Sequence, residues 1–510
     1  MTTDRPFFVT TPIYYVNDQP HLGHAYPTVA ADALARFMRL DGRRVKFLTG
    51  TDEHGQKVEQ SARAAGVSPQ EFADRNSAAF REMDRLLDIS NDDYIRTTEE
   101  RHIRGVQALW GELERRGEIY LGRFAGWYAV RDEAFYDESE LVDGKAPTGA
   151  DVEWYEEDNY FFRLSAWQDR LLAWYEANPE AVAPRSRRNE VLSFVRSGLK
   201  DLSISRTSFT WGIPVPGHPG HVVYVWLDAL INYITALGYP TSESGEYSIF
   251  WPADIHIVGK DIIRFHTVYW PAFLMAAGLA PPRRVFAHGW WTVEGQKMSK
   301  SLGNGIPPDY LVGKYGADPA RYFLLRELPF GSDGDFSHRA VVGRLNGDLA
   351  NDFGNLAQRV LVMINRNCSG CVPEPETFDV ADTALLGVAR ALLGAVRTHV
   401  SDQAFHLALE AIWRVVGEAN RYVDEQAPWA LSRSDPARMR TVLYTLAETL
   451  RHLAILVQPF VPGTAAKLLD QLAVPEDRRS FAALATAPLA AGTKLPRPEG
   501  IFPRFVEETA

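Results

Sequence analysis

The sequence predicts an open α/β domain on a parallel sheet, interrupted by an inserted domain and followed by an all-helical domain. Three observations support this prediction. The first 50 residues run strand, helix, strand; short apolar strands return after residue 225; and residues 350–470 are mostly long amphipathic helix rich in Ala, Leu and Arg. A strand–helix–strand unit this compact implies two parallel strands. The helical periodicity of the last segment predicts a bundle.

The opening unit is predicted from its hydrophobic pattern. Phe7–Thr10 is an apolar run of strand length, a helical pattern extends from about Pro27 to Leu40, and Val45–Gly50 is a second strand. Ligands of such sheets bind at the carboxyl ends of the strands. His21 and Asp52 follow the two strands directly, so we expect them at that edge.

The middle of the chain changes character near residue 118. From there to residue 224, aromatic and acidic residues alternate over short runs, which predicts an inserted domain. Strands resume at Ile255–Gly259 and Val285–Gly289. The expected parts are therefore an α/β domain in two halves (1–117 and 225–288), an insert (118–224), a loop-bearing region (289–345) and a helical domain (346–510).

Composition limits the class of protein. The chain has 510 residues, 46% of them hydrophobic and 23% charged, which is typical of a globular protein rather than a disordered one. A net charge of −11 argues against non-specific coating of nucleic acid, but it allows one RNA to bind at local basic patches. Two cysteines fit a reducing compartment. With no apolar run of about 18 residues and no secretory leader, we expect a cytoplasmic protein without a membrane partner.

The first candidate motif is His21-Leu22-Gly23-His24, at the start of the first helix. Gly23 lets a ligand approach the backbone closely. The helix N-terminus offers free N–H groups and partial positive charge, and the two histidines can donate to phosphate oxygens. The pattern therefore favours a nucleotide phosphate site. A metal half-site or two helix-capping histidines explain these four residues equally well.

The second candidate motif is the loop Lys297-Met298-Ser299-Lys300-Ser301, flanked by Gly295 and Gly303. Its lysines and serines supply mobile cations and hydroxyl donors, which suit charge developing on a polyphosphate leaving group. A solvated surface loop is the alternative, and the loop taken alone favours that alternative.

Taken together, HLGH after the first strand and KMSKS late in the chain resemble the paired motifs of class I aminoacyl-tRNA synthetases. Several stretches resemble the bacterial methionyl-tRNA synthetase family, from residue 6 to about 460: Thr11–Asn17, Thr51–Gly55, Tyr224–Ala229, Gly259–His266 and Asp424–Trp429. The resemblance implies a Rossmann-like catalytic domain with an inserted connective domain, followed by an α-helical anticodon-binding bundle. It also implies a ligase that activates methionine with ATP and Mg²⁺ and charges tRNA(Met), including the initiator tRNA.

The resemblance also implies site residues. Asp52 would bind the substrate ammonium through a charge-assisted contact, and aromatic rings would pack against the thioether. The implied methionine-binding residues are Ile13, Tyr15, Asp52, Trp226, Ala229, Tyr233, Ile262, Phe265 and His266. The implied ATP-binding residues are Tyr14, His21, Gly23, His24, Gly259, Asp261, His288, Lys297, Met298, Ser299, Lys300 and Ser301. The implied catalytic residues are His21, His24, Lys297, Lys300 and Arg206.

The insert departs from many family members, which carry paired zinc-binding cysteines there. Trp127–Glu133 has alanine at one such place, and Pro147–Ala150 lacks cysteine. A structural zinc site needs about four N or S ligands, so we expect no zinc. Cys368 and Cys371 have metal-like spacing, but two ligands do not make a site. A labile disulfide or two free thiols is favoured there.

The helical region offers three candidate RNA contacts. Asn355 and Arg359 are four residues apart, share a helix face and carry planar donor groups suited to base edges. Trp429 follows Pro428 at a helix break, which favours an exposed ring that stacks on a base; a tryptophan buried in the bundle is the alternative. The resemblance implies that all three bind the anticodon. Because no dimerising domain follows the bundle, we expect a monomer.

Three other functions fit parts of the sequence: a synthetase for another amino acid, a tRNA-binding paralogue without catalysis, and a small nucleotidyltransferase. Synthetases for isoleucine, valine or leucine need an editing insert, since a methylene gives only about 1–3 kcal/mol of discrimination, and this insert is too short. A cysteine-specific enzyme would want zinc thiolates. A tRNA-binding paralogue without catalysis would not need both motifs intact, and a small nucleotidyltransferase would not need the helical domain.

Overall fold

The computed structural model describes residues 5–132, 134–136, 138–241, 245–297 and 305–507. The described strands are β1 Phe7–Tyr15, β2 Val45–Asp52, β3 Asp93–Arg96, β4 Ile119–Ala129, β5 Ala134–Tyr136, β6 Glu153–Phe162, β7 Val182–Ala183, β8 Leu202–Ser203, β9 Ser205–Arg206, β10 Val222–Val223, β11 Ile255–Gly259, β12 Val285–His288, β13 Trp291–Val293, β14 Gln296–Lys297 and β15 Gly334–Phe336.

The described α-helices are α1 Leu22–Leu40, α2 Gln56–Ala64, α3 Pro69–Leu86, α4 Glu100–Arg115, α5 Gln168–Ala177, α6 Arg185–Arg196, α7 Val225–Leu230, α8 Asn232–Thr235, α9 Glu246–Phe250, α10 Trp270–Ala276, α11 Pro308–Tyr315, α12 Ala317–Arg326, α13 His338–Arg344, α14 Asn355–Asn367, α15 Val380–Ser401, α16 Phe405–Gln426, α17 Pro428–Ser434, α18 Pro436–Val457, α19 Pro462–Gln471 and α20 Ala483–Thr486. Phe265–Tyr269 and Leu345–Gly354 are π-helical. Short 3₁₀ turns occur at Glu138–Glu140, Leu164–Trp167, Lys260–Ile262 and Glu476–Arg478.

A six-stranded sheet with the order β3-β2-β1-β11-β12-β7 forms the centre of the α/β domain, and every strand pair in it is parallel. The chain winds from β1 outward to β2 and β3, then returns to place β11 and β12 on the other side of β1. The strand order therefore reverses between β1 and β11. A crevice opens at the carboxyl ends of strands at such a point, and it is the usual place for a ligand.

The first two elements extend beyond their predicted limits. Strand β1 does not end at Thr10, because after an irregularity between Thr10 and Ile13 it pairs with β2 again as far as Tyr15. Helix α1 begins at Leu22, so HLGH opens it as predicted, although the periodic helical pattern begins only near Pro27; the His21 side chain caps the helix, and Pro27 is accommodated inside it. Both differences carry the elements further toward the crevice.

The insert contains a second sheet. Strands β4 and β6 form a long antiparallel pair, flanked by β5 and β8 in the order β5-β4-β6-β8. Inside the stretch predicted as the insert, however, Val182–Ala183 pairs with β12 and forms the edge of the central sheet. A strand of two residues has no periodicity by which a sequence pattern can predict it.

The helical region packs against the α/β domain through buried groups. The Arg321 guanidinium, fully buried, donates to Asp32 of α1 (2.6 Å) and to the carbonyls of Pro459 (2.9 Å) and Phe460 (3.1 Å), just after α18. Among the helices that the structure describes, none is both long and apolar enough to cross a membrane. The predicted fold class, a parallel-sheet domain with an insert followed by a helical domain, is confirmed.

Candidate active site

A cavity of about 580 Å³ opens at the carboxyl ends of β1 and β11, where the strand order reverses. Its walls come from β1, the start of α1, the ends of β2, β11 and β12, helices α7 and α8, and the tip of the insert. It brings together every predicted methionine-binding residue and the predicted ATP-binding residues outside the KMSKS loop, namely Ile13, Tyr14, Tyr15, His21, Gly23, His24, Asp52, Trp226, Ala229, Tyr233, Gly259, Asp261, Ile262, Phe265, His266 and His288.

The two histidines of HLGH cap the helix as well as lining the cavity. His21 Nδ1 accepts the Gly23 N–H at 3.0 Å, and His24 Nδ1 accepts the His21 N–H at 3.1 Å. Because each Nδ1 accepts, the ring proton of each neutral histidine lies on Nε2. Burial lowers the pKa of both imidazoles, so they are neutral N–H donors at neutral pH. Capping and phosphate binding, which the sequence left as alternatives, are therefore compatible in one motif.

The His24 ring is held by an aromatic cluster. Its centroid lies 5.1 Å from the Tyr14 ring and 5.1 Å from the Phe80 ring of α3, and Tyr14 stacks on Phe80 at 5.4 Å. The Tyr14 hydroxyl lies 2.6 Å from Thr28 Oγ1, whose own hydroxyl donates to the His24 carbonyl. These contacts lock the ring of His24 in one orientation.

Asp52 and Tyr15 lie side by side at the ends of β2 and β1, where the register pairs them. Asp52 is almost completely buried and still lines the cavity. A carboxylate in this position, with little competing water, is well suited to bind a ligand ammonium.

The apolar part of the cavity is built from stacked rings. Trp226 of α7 and Phe265 lie face to face, with centroids 3.6 Å apart and planes 5° apart. Tyr233 stacks on the buried ring of His256 at 4.1 Å. Flat aromatic walls of this kind suit a polarizable, unbranched side chain.

A hydrogen-bond chain fixes the polar groups of this apolar wall. The Nδ1–H of His266 donates to the Ile262 carbonyl at 3.0 Å, so Nε2 accepts the Tyr233 hydroxyl at 2.8 Å. Burial lowers the pKa of His266 to about 4, which keeps the ring neutral and preserves this arrangement at physiological pH.

The opposite wall lies at the ends of β11 and β12. A side chain at Gly259 would meet Asp261 Oδ1 at 2.4 Å, so glycine is what lets the Asp261 carboxylate fold back against the strand end. That carboxylate accepts the Trp290 Nε1–H at 3.1 Å. His288, its pKa lowered by burial, donates through Nδ1 to the Gly289 carbonyl at 2.8 Å.

Arg206, predicted as a catalytic residue, does not line the cavity. It is buried behind the wall, where Nη1 donates to the Ser205 carbonyl at 2.7 Å and the guanidinium lies 4.2 Å from the Tyr224 ring centroid. The Arg206 side chain therefore packs against Tyr224, the residue before α7, and its guanidinium does not face a ligand in the cavity.

The tip of the insert contributes lining residues that the sequence did not indicate: Arg131, Asp132, Tyr136 and Thr148. Arg131 donates to the Thr148 carbonyl at 2.7 Å and to its hydroxyl at 2.9 Å, and Tyr136 donates to Asp132 at 3.1 Å. Among the described lining residues, Arg131 is the only arginine or lysine. No periodicity or motif connects this tip with the sheet, so only the fold reveals it.

The KMSKS loop lies largely outside the described residues. Lys297 ends β14, which pairs with β13 beside the cavity, and Met298, Ser299, Lys300 and Ser301 follow beyond that limit. Their predicted roles stay predictions.

The three residues predicted to contact the anticodon lie together on the helical domain. Trp429 is 50% exposed, so the alternative of a buried bundle tryptophan is wrong. The Arg359 guanidinium lies 5.5 Å from its ring centroid and pairs with Asp424 at 2.8 Å. Asn355 is exposed one turn earlier on the same helix, α14.

Both cysteines are free thiols in partly buried positions, and burial raises the pKa of Cys368. In the described parts of the chain, no cluster of three or more His, Cys, Asp or Glu side chains is arranged to hold a metal ion.

Comparisons with known proteins agree with this geometry. A family model described as "tRNA synthetases class I (M)" matches residues 7–153 and 139–361, and one described as "Anticodon binding domain of methionyl tRNA ligase" matches residues 372–510. The methionine–tRNA ligase of Brucella suis is 60% identical over 506 residues, covering 98% of each chain. That of Mycobacterium leprae is 55% identical over 512 residues, covering 98% of this chain and 95% of the relative.

Solved structures of a family member also superpose closely on this chain. Mycobacterium tuberculosis methionyl-tRNA synthetase in complex with methionyl-adenylate superposes with a TM-score of 0.96 at 55% identity, over 98% of this chain and 100% of that one. The apo form of the same enzyme gives a TM-score of 0.89 at 51% identity, over 99% of each chain. The sequence motifs, the fold and these matches agree, and the chain belongs to the methionyl-tRNA synthetases, a family of class I aminoacyl-tRNA synthetases.

Proposed function

We propose that the chain activates methionine with ATP and transfers it to the 3′ end of tRNA(Met), including the initiator tRNA. In the first step a methionine carboxylate oxygen attacks the α-phosphorus, the bond to the β-phosphate oxygen breaks, and pyrophosphate leaves. In the second step the hydroxyl of the terminal ribose attacks the acyl carbon, AMP leaves, and the hydroxyl proton passes to solvent. The observation that carries the proposal is that one cavity is lined both by the predicted methionine-binding residues and by the predicted ATP-binding residues outside the KMSKS loop.

Methionine is assigned to the aromatic end of the cavity. Asp52 would bind the ammonium, and the stacked Trp226 and Phe265 would pack against the thioether. The Tyr233 hydroxyl already donates to neutral His266, so this pair would present a fixed, uncharged polar edge to the sulfur. Ile13, Tyr15, Ala229 and Ile262 would complete the walls.

ATP is assigned to the HLGH end. The Nε2–H groups of His21 and His24 and the N-terminal N–H groups of α1 would donate to phosphate oxygens. Gly259, Asp261 and His288 would border the nucleoside, with Tyr14 behind the histidines. The KMSKS loop would bring Lys297 and Lys300 to the leaving pyrophosphate. Rate would thus come from positioning and charge stabilisation, not from covalent catalysis.

Mg²⁺ is assigned to the nucleotide. This ion keeps several waters and usually binds substrate phosphates with one or two carboxylates rather than a dedicated protein cage. Of the described lining residues, Asp261 and Asp132 fit such a supporting role at the cavity. Bound there, the ion would neutralise part of the phosphate charge.

The remaining assignments follow the domain plan. We assign catalysis to residues 1–117 and 225–288, a connective insert to 118–224, stem contact and the KMSKS loop to 289–345, and anticodon binding to 346–510. Asn355, Arg359 and Trp429 would contact the anticodon, and Arg206 would act by positioning α7. We further assign a monomer working in the cytoplasm.

The test is ATP–pyrophosphate exchange with purified protein across a panel of amino acids. Methionine alone should support rapid exchange. Asp52→Asn should raise the KM for methionine by about tenfold or more, because a charge-assisted contact is lost, while the KM for ATP stays within about twofold. Exchange that depends on another amino acid, or an unchanged methionine KM in Asp52→Asn, would overturn the assignment.

A further inference from the structure

Behind the methionine end of the cavity, the Asp228 carboxylate is completely buried between two histidines. His54 Nδ1 lies 2.7 Å from Oδ2, and His102 Nε2 lies 2.8 Å from Oδ1. The other ring nitrogen of His102, Nδ1, lies 2.9 Å from Thr235 Oγ1, which is also buried. The four side chains come from four segments: the loop after β2, α7, α4 and α8.

The central group of this series of hydrogen-bonded side chains is the carboxylate of Asp228. Burial alone would raise the pKa of Asp228, but His54 and His102 together lower it below its usual range. A buried charge held by two donors is sensitive to the loss of either, because the remaining environment cannot solvate it. We call His54, Asp228 and His102 the buried relay.

The buried relay joins the two walls of the cavity that the amino acid must span. His54 follows Asp52 by two residues, and Asp228 lies directly between Leu227 and Ala229 on the helix that also carries Trp226. Asp52, Ala229 and Trp226 line the cavity, whereas His54, His102 and Asp228 do not. Trp211 covers the open side of His54, with ring centroids 5.4 Å apart and its Nε1–H on the Glu53 carbonyl at 2.6 Å.

We propose that the buried relay is a specificity-determining positioning device for the amino acid. By tying the segment of Asp52 to α7, it sets the separation between the carboxylate that binds the ammonium and the wall that contacts the side-chain end. A fixed separation accepts methionine and rejects an unbranched amino acid that is one methylene longer. The inference rests on the proposed function of the cavity, and no member of the relay lines that cavity.

The test compares His102→Leu with its matched control His102→Gln. The Gln amide can replace the Nε2–H donor to Asp228, and Leu cannot. In ATP–pyrophosphate exchange, His102→Leu should raise the KM for methionine about tenfold and lower the methionine-to-ethionine ratio of kcat/KM at least about fivefold. The KM for ATP should stay within about twofold. His102→Gln should keep both methionine KM and the ratio close to the parent values.

Two further variants keep the proposal falsifiable. Thr235→Val is nearly isosteric and removes the outer partner of His102, together with a 3.2 Å hydrogen bond from the same hydroxyl to the Asn232 carbonyl of its own helix. It should shift the ethionine ratio in the same direction by about twofold to threefold. Asp52→Asn identifies a failure of the proposed function itself, since it must raise the methionine KM if the cavity binds methionine as assigned. If Asp52→Asn raises that KM while His102→Leu and Thr235→Val leave the ratio unchanged, the relay has no role in selection. Equal increases in the KM for methionine and for ATP, with a lower melting temperature, would make it a purely structural element.

Discussion

His21 and His24 each use Nδ1 to accept a backbone N–H, which leaves one proton on Nε2 of each ring. Burial lowers the pKa of both, and for His24 the neighbouring His21 lowers it further. Two neutral donors can approach phosphate oxygens without the cost of keeping two adjacent imidazolium ions in a buried site. At the scale of single residues, the HLGH motif therefore supplies uncharged hydrogen-bond donors. Cations that would bind the phosphates must come from other residues.

Replacing His21 with Asn should separate the two uses of the side chain. Asn is a strong N-cap residue and can accept the Gly23 N–H, but it lacks the donor at the Nε2 position. We expect the exchange rate to fall about 100-fold or more with little change in melting temperature. His21→Ala should lose the same activity and also about 1 kcal/mol of stability. A His21→Asn protein with parental activity would show that the histidine only caps the helix.

Asp84 of α3 provides a pH prediction. Its carboxyl is buried, Oδ1 has no hydrogen-bond partner among the described residues, and burial, with Asp32 nearby, raises its pKa to about 8. In the unfolded chain the pKa is about 3.9. Between these values the unfolded state releases a proton that the folded state keeps, so this group makes the free energy of unfolding fall as pH rises from about 4 to 8.

Asp84→Asn removes that titration while keeping the shape. The stability advantage of the variant over the parent should grow by about 2 kcal/mol between pH 6 and pH 8. Urea unfolding at the two pH values measures it. A constant difference between variant and parent would mean that Asp84 titrates normally in the folded protein.

At the scale of elements, the KMSKS loop starts with Lys297, the last residue of β14, and β14 pairs with β13 beside the cavity. Lys300→Ala should therefore slow adenylate formation by about 100-fold or more, because a donor to the leaving pyrophosphate is lost. Methionine binding measured without ATP should hardly change, since the loop is assigned to the other substrate. A parallel loss of both properties would indicate a structural loop.

The insert is held together without cysteines, through the β4–β6 pair and the hydrogen bonds of its tip. We expect the purified protein to keep full exchange activity after exhaustive treatment with a zinc chelator and removal of the chelator. Elemental analysis should find no stoichiometric zinc. One zinc per chain would contradict this expectation and direct attention to Cys368 and Cys371, the two free thiols.

At the scale of the whole molecule, the candidate anticodon surface and the cavity belong to different domains that share a buried joint at Arg321. This guanidinium connects α1, which begins with HLGH, to the chain just after α18 and to the Leu87 carbonyl at 3.0 Å. A buried arginine that donates four hydrogen bonds holds its partners firmly. The two domains should therefore keep one relative placement while serving separate steps.

Trp429→Ala tests this division of labour. Methionine-dependent exchange should stay near the parental rate because that reaction needs no tRNA. Charging of tRNA(Met) should fall about tenfold or more, since about 1–3 kcal/mol of base stacking is lost. Because the ring is 50% exposed, the melting temperature should change little.

A tRNA with an altered anticodon serves as the control. Its charging should suffer less from Trp429→Ala, because contacts that are not made cannot be removed. Equal losses on both tRNAs together with a lower melting temperature would refute the recognition role.

The sequence by itself determined the architecture and the family, and it indicated a large part of the lining of the main cavity. Hydrophobic periodicity sets strands and helices locally, and HLGH and KMSKS are short motifs whose chemistry depends on neighbours a few residues away. The described residues predicted for methionine and ATP, Lys297 apart, line one cavity, and those on the loops after β1 and β2 lie at the strand ends where the sequence predicted them.

Only the tertiary structure decided which distant groups meet. It placed Arg206 behind the cavity wall, brought Arg131 from the insert to the cavity mouth, and buried Asp228 between His54 and His102. It also confirmed that the Trp429 ring is exposed, the alternative that the sequence had favoured. Burial, protonation state and long-range hydrogen bonds depend on segments far apart in the chain, and no local pattern encodes that proximity.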